Sequence, residues 1–446
     1  MKSFFVFLFI CVSLFGDVGI EEIWRGLEKS NDGLKAAQDA QKIAKLKQSS
    51  AKSMYLPSIS IVGSYTHLSD PIGTDTHSVA SSLSDTMPLT SAVMSALPNK
   101  DMDFTKQDIF LADLHMLWPL YTGGKIDAAQ DIYKAALDES KAVLQMKKDK
   151  EFLKLVKYYY GSVVALSLYK TTLHSQKALQ IHYENAKKLK QQGQIANIEL
   201  LNAKVKLDSA NIQTIQAKHK YEISSTALFA LIKRDIKPVE NIYVYDVLKQ
   251  QHYYQNEMKK HYAPLGILDA KNKQTEALLK IKKADYYPSV VGYANYNLYK
   301  DDSPLMETMP QWFAGIMVKI DILKRKDRSE DIESVKLLNA KVRHTKAQAV
   351  EDLAILVEKT YKEMCAYKEE YDLLKSSIKL AKENYRLREI AFKEGLSTSV
   401  EVVDAQMFLF GAKTKRLNAA YNYIQKLAQL CVLSGDRDMF FEIVGR

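Results

Sequence analysis

No stretch beyond the first sixteen residues reaches the roughly 18 consecutive apolar residues that a membrane-spanning helix needs. The remaining chain is therefore expected to carry no helical membrane anchor. Proline is missing from 120–237 and from everything after Pro310, so helices can run unbroken through both tracts. Catalytic and cofactor signatures are missing as well: the 9 histidines are scattered, and there is no HExxH, no Cys–His metal spacing, no GxGxxG and no P-loop. An enzyme is thus not the reading, and no cofactor is implied. Charge of one sign is not concentrated either. The 63 Lys and Arg and 53 Asp and Glu give a formal net charge of +10 but no basic block, which suits solvated faces of long helices and not a nucleic-acid partner.

The opening residues, MKSFFVFLFICVSLFG, join an early Lys to an apolar run of about a dozen residues, as in a Sec-type signal peptide. Ile10 precedes Cys11 where a lipidated cysteine has a small residue, which speaks against lipidation. The mature chain is expected to be exported.

The chain is written twice. LKQQGQIANIELLNAKVKLDSA around Gly193 recurs 202 residues later as AFKEGLSTSVEVVDAQMFLFGA around Gly395, with Gly193/Gly395, Glu199/Glu401 and Ala203/Ala405 in register. Upstream of each copy lies a Pro-containing, Tyr-rich segment, one from Ala51 and one from Lys282. Such a period excludes a short-repeat solenoid and predicts two related halves.

Within each half the hydrophobic period changes. Ile20 to about Ser53 is helix-like. In Ile109 to Leu120 the even positions Phe110, Ala112, Leu114, Met116, Trp118 and Leu120 are apolar, and Trp312, Ala314, Ile316, Val318 and Ile320 repeat the pattern. About ten residues of this alternation suit a strand facing lipid on one side and a lumen on the other; a half-buried strand of a soluble sheet has the same local pattern. His67, His77 and His115 are then loop and lumen residues in preference to a metal site. Ser69 to Lys106, rich in Ser, Thr, Asp and Pro, reads as an irregular surface loop.

Two helices of roughly 65 residues follow, from about Asp127 to Gln191 and Asp327 to Lys393, each about 100 Å at 1.5 Å per residue. Glycine turns at 193 and 395 reverse the chain into shorter helices, Asn197 to Lys233 and Ser399 to Ser434. The opening helix and His261 to Asp285 would cover the rest of the long helices, and the outcome is a rod with strands at one end. Cys365 and Cys431 average to position 398, the centre of the second turn, so they lie at similar heights on neighbouring helices. A disulfide between them and two buried free thiols both stand open.

Four strands cannot close a barrel, and an open edge is not tolerated in lipid, so several copies must share one sheet. At this point the chain resembles the TolC-like outer-membrane efflux proteins. The motifs that carry the resemblance are LWPLYTGGKIDAAQ (Leu117 to Gln130), GLSTSVEVVDAQ (Gly395 to Gln406) and the weaker GQIANIELLNAK (Gly193 to Lys204), over nearly the whole mature chain. The resemblance implies a mostly α fold with a membrane β-barrel portion: a homotrimer in which four strands per chain form a 12-stranded barrel, continued by an α-helical barrel across the periplasm. It implies a passive exit duct serving an inner-membrane transporter and a periplasmic adaptor. The parts would be a signal peptide at 1–16, a tunnel helix at 17–56, strand pairs at 57–120 and 288–322, and hairpins at 121–233 and 323–434. A second tunnel helix would occupy 261–287, with equatorial segments at 234–260 and 435–446. Two rival readings are a periplasmic coiled-coil adaptor, which would carry one hairpin and flanking β-modules, and a helical structural protein, which would not need the alternating strands.

The same resemblance places paired acids, Glu401 and Asp404, at the periplasmic entrance, one turn apart on one helix face. Three copies would set six carboxylates around the opening and raise one another's pKa values in part. The first-half equivalents, Glu199 and Asn202, have one carboxylate fewer. Adaptor docking is implied at the tip residues Gly193, Gln194 and Ile195 and Gly395, Leu396 and Ser397. Ser397 stands where the best-known family member has a basic residue, so a charged latch is absent or built differently.

Overall fold

A computed structural model of the chain describes residues 19–234, 236, 242–246, 249–322 and 328–444. The expected leader, with Cys11, lies outside the described residues, as do parts of the segments expected at 234–260, 323–434 and 435–446. The chain divides into two compact units, the described parts of Met1–Ile43, Asp138–Ala270 and Val342–Arg446, and Ala44–Leu137 with Lys271–Lys341.

The opening helix is two helices, α1 (Ile20–Ser30) and α2 (Asp32–Ala51), where the sequence predicted one. Asn31 interrupts them with an extended ψ of 117°. Its side-chain oxygen accepts the Leu34 N–H at 2.9 Å and its amide donates to Glu151 at 3.3 Å, so the Asn competes with the helix for its own backbone. β1 (Ser58–His67) follows. The Ser69–Lys106 stretch is not irregular: it forms β2 (Gly73–Asp75), α3 (Thr76–Ser82), α4 (Pro88–Ser95) and β3 (Asp101–Asp103). Asp75 caps α3 through Ser78 N–H at 2.8 Å and Pro88 starts α4, but elements of three to eight residues are too short to show a period.

β4 (Asp108–Tyr121) then leads into α5 (Lys125–Gln191), and α6 (Asn197–Ile232) returns. Between them and the second half lie α7 (Gln251–His261) and α8 (Ala263–Ala284). The second half supplies β5 (Ser289–Lys300), α9 (Pro304–Thr308), β6 (Trp312–Lys319), α10 (Arg328–Lys393), α11 (Ser399–Leu433) and α12 (Asp438–Val444). At 67 and 66 residues, α5 and α10 are each about 100 Å long.

The four longer strands form one antiparallel sheet in the order β1-β4-β5-β6. Its register sorts side chains by face, because alternate residues point to opposite sides. Ile61, Leu114, Tyr296 and Trp312 stand in one row, and Ile59, Met116, Ala294 and Ala314 in the next row on that face. The opposite face is mixed, with Ser60, His115, Asn295 and Phe313 in one row and Val62, Asp113 and Asn297 in another. Ile61, Trp312, Ile316 and Val318 are 65% to 69% exposed, so the apolar face is uncovered in the single chain. Pro119 lies in a central strand at a register shift, where the missing N–H is tolerated. Gly123 makes the strand-to-helix turn: its φ is +64°, and an added Cβ would sit 2.9 Å from the Ala284 carbonyl oxygen.

In the other unit Phe152, Leu155, Val156, Tyr159 and Val163 of α5 pack with Val357 and Met364 of α10 and Tyr423, Ile424 and Leu427 of α11. Trp24, Phe440 and Phe441 meet Phe152 edge-on at 5.3 to 5.6 Å, joining α1 and α12 to this core. Tyr423 donates to the Tyr245 carbonyl at 2.9 Å and Tyr245 to that of Val444 at 3.0 Å, which ties the 242–246 segment and α12 to α11.

Candidate functional site

Both long hairpins reverse with the same local geometry. Gly193 has φ +72° and Gly395 φ +74°, the left-handed conformation that ends a helix when the next N–H reaches back five residues. The Gln194 N–H bonds the Leu189 carbonyl at 2.9 Å, and Leu396 N–H that of Ala391 at 2.8 Å. No atom lies within 4 Å of a Cβ built on either glycine, so backbone conformation alone selects glycine there.

Beyond the turns the two halves differ. Thr398 caps α11: its hydroxyl accepts the Glu401 N–H, and the Glu401 carboxylate accepts the Thr398 N–H at 2.9 Å, a reciprocal capping box. Ser397 Oγ donates to the same carboxylate at 2.6 Å and Arg388 of α10 at 3.1 Å. These bonds, Ser397 first, hold the Glu401 carboxyl below its ordinary value. Within the single chain this is opposite to the rise expected from a carboxylate ring. Asp404 is exposed and, among the described residues, makes no hydrogen bond or ion pair. The two acids therefore do different things: one starts a helix, the other is open to solvent.

The first hairpin has Ala196 at the corresponding cap and no side-chain bond there. Glu199, the counterpart of Glu401, instead accepts the Ser399 N–H of the other hairpin at 2.9 Å. Ser399 is fully buried, and His182 of α5 places Nε2 2.6 Å from its Oγ. The His182 ring lies on Phe392 of α10 at 4.6 Å. All four hairpin helices thus meet around Ser399, and Ala186, Ala203, Phe392 and Val402 close an apolar cluster beside it. His182 and Ser399 were not singled out from sequence; Thr398-x-x-Glu401 is a legible capping signal, but nothing local to His182 marks a partner 217 residues away.

Of the docking residues read from sequence, Gly193, Gln194, Gly395 and Leu396 are exposed, Leu396 at 82%. Ile195 packs against the apolar cluster, and the Ser397 hydroxyl is taken up by the Glu401 carboxylate within the turn. Cys365 and Cys431 are free: the disulfide is not formed, since Cys431 belongs to the apolar stripe of α11 and is fully buried while Cys365 is offset and half-buried. His67 bonds Asp108 at 2.7 Å and His77 contacts the Leu97 carbonyl; among the described residues no group of three or more His, Cys, Asp or Glu could hold a metal ion. No described helix is long and apolar enough to cross a membrane.

Residues 26–232 and 268–436 match the family model described as Outer membrane efflux protein. Among solved structures, the Campylobacter jejuni CmeC outer membrane channel is similar over 94% of this chain and 86% of its own, at 15% identity and a TM-score of 0.72. The open state of the Neisseria gonorrhoeae MtrE outer membrane channel is similar over 94% and 89%, at 15% identity and 0.74. The outer membrane protein VceC of Vibrio cholerae is similar over 94% and 96%, at 13% identity and 0.73. At these identities the likeness is one of fold. No curated protein is significantly similar in sequence.

Proposed function

Since this chain belongs to the outer membrane efflux protein family, we propose that it is the outer-membrane exit duct of a tripartite efflux or type I secretion system. The observation that carries this reading is the four-stranded sheet: β1 and β6 leave both edges open, and one face is apolar and uncovered across all four strands. An open edge in hydrocarbon leaves several backbone groups unsatisfied at a cost of kcal/mol each, so further copies must complete the sheet. Three copies give the 12-stranded transmembrane barrel of the family, with the row of Ser60, His115 and Asn295 toward the lumen.

α6 supports the same assembly. Its Ala203, Leu207, Ala210 and Ala217 face is buried, while Ile198, Leu201, Val205, Ile212 and Ile215, also at steps of three, four and seven, are 51% to 64% exposed. A second apolar stripe on one helix is the pattern of a coiled-coil seam with a partner helix; a neighbouring copy is the partner we assign. The trimeric α-helical barrel then continues the duct into the periplasm.

Substrate passes without chemistry by the duct itself, handed over by an inner-membrane transporter through a periplasmic adaptor. The adaptor docks on the backbone of Gly193 and Gly395 and on Gln194 and Leu396, the tip groups that face solvent, while Ile195 and Ser397 shape the turns. Asp404, with Glu401 behind it, lines the entrance and favours cations. The test is extraction and conductance. Detergent-solubilised protein should sediment as a trimer and form channels in planar bilayers; a monomer that stays soluble without detergent overturns the proposal.

A further inference from the structure

The chemistry at the meeting point of the hairpins goes beyond a passive duct. His182 is 5% exposed and Ser399 fully buried, so the contact between them is shielded from water. The ring is packed against Phe392. The charged groups that face it are Glu389 of α10 and Glu199 of α6; α11 offers only the Ser399 hydroxyl, and Tyr385 beside Glu389 is neutral, its phenol pushed up to about 12 by burial. Neither carboxylate is hydrogen-bonded to the ring: Glu199 is occupied by the Ser399 N–H, and Glu389 is paired with the exposed Lys393 at 3.5 Å. A proton on this imidazole would sit in an apolar cluster with a hydroxyl as its one direct partner, which is unfavourable.

We propose that His182 is a proton-operated latch between the two hairpin tips, closed when the ring is neutral and loosened when it is protonated. In the neutral form the ring holds Ser399, the first residue of α11. On protonation the imidazolium draws on the Glu199 and Glu389 carboxylates; as Glu199 turns toward it, the Ser399 N–H loses its acceptor and the start of α11 is freed. The direction agrees with the environment, since burial holds the ring below the ordinary histidine value of about 6.5. A base with a depressed value favours packing above its unpacked value and loses that support as pH falls through the packed one. The tip is therefore firm at neutral pH and loosens as the surroundings turn acid. This device concerns the tip of the proposed duct and rests on that reading for its use, though not for its existence.

Exchange measurements on the detergent-purified full chain test it. Histidine C2 hydrogen exchange followed by mass spectrometry should give His182 a midpoint below the ordinary histidine value of about 6.5; a midpoint equal to or above it overturns the latch. Corrected for the intrinsic pH dependence of amide exchange, protection across Ser399 to Val402 should fall several-fold more between pH 7.5 and 5.5 in the wild type than in His182→Gln, since those two units alter the ratio of protonated to neutral imidazole about a hundredfold. An identical acid response in both proteins overturns the proposal. Should the Gln variant not fold, Ser399→Ala removes the hydroxyl that the neutral ring holds and should be loosened already at pH 7.5, with a smaller acid response; wild-type protection and a full acid response in that variant overturn the latch. Bilayer conductance separates the two proposals: folded oligomers that never conduct remove the duct while the exchange result still decides the latch.

Discussion

Glu199 accepts the backbone N–H of Ser399 at 2.9 Å, so a residue of the first repeat caps the helix of the second. Its counterpart Glu401 caps its own helix through Thr398. One change accounts for the difference: Ala196 in the first half has no hydroxyl with which to close a capping box, and Glu199 is left to reach the neighbouring hairpin.

Glu199→Ala should loosen the start of α11 by about 1 kcal/mol, the usual effect of losing a cap acceptor, whereas Glu199→Gln keeps an oxygen and should lose little. Amide exchange at Ser399 and Val400 distinguishes them. Equal protection in both variants would mean that the carboxylate contact contributes nothing.

Gly193→Ala and Gly395→Ala should each cost about 1 kcal/mol, because the left-handed backbone is unfavourable for a residue with a Cβ while the space around it is empty. Asn at either position should recover much of this loss, as Asn tolerates that region. Thermal unfolding checks both; a drop for Asn as large as for Ala would point to packing and not conformation.

Glu401 and Asp404 should separate functionally. Asp404→Asn should reduce cation selectivity in a bilayer, while Glu401→Gln should mainly weaken the α11 start, because its carboxylate is engaged with Ser397, Thr398 and Arg388. The Glu401 carboxyl is held below its ordinary value, so its contribution is complete above about pH 4.5 and fades as pH falls through the lowered value. The reverse ranking in reversal potentials would sink this division of roles.

Asp149 is 5% exposed and lies 3.4 Å from Arg437, whose guanidinium rests over Trp24 at 5.3 Å. Burial outweighs Arg437 and pushes the Asp149 carboxyl up to about 6. A carboxyl raised on folding opposes folding once ionised, so this site weakens the protein as pH rises through about 6. Arg437→Met removes the main compensation, and its stability deficit should be at least 1 kcal/mol larger at pH 8 than at pH 5. Thermal unfolding at the two pH values gives the answer, with a pH-independent deficit as the contrary result.

Alkylation of the native protein should modify Cys365 slowly and Cys431 not at all, since Cys431 is fully buried and burial pushes its thiol up. In denaturant without reductant both should react, and intact mass will count the adducts. Two unreacted thiols there would indicate the disulfide after all.

Much of this architecture was legible in the residues. Period-two alternation at 109–120 and 312–320 and the proline-free tracts are local consequences of backbone geometry, so strands and long helices declare themselves without a partner. Gly193 and Gly395 mark the turns because a positive φ needs no knowledge of the neighbour. Asn31 was less visible: a single polar residue that caps and breaks a helix is compatible with either outcome until Leu34 N–H is seen to choose it.

The duplication, the two hydrophobic periods and the positions of the turns follow from the residues alone, since each is written in local pattern. Packing between distant segments settled that Glu199 serves the opposite hairpin, that His182 meets Ser399 across 217 positions, that Cys431 is a buried free thiol while Cys365 stays half-buried, and that the rows of four strands place Leu114 beside Tyr296. Those pairings depend on register and packing between segments distant in the chain, and a side chain's preference for a buried partner does not say which one it will meet.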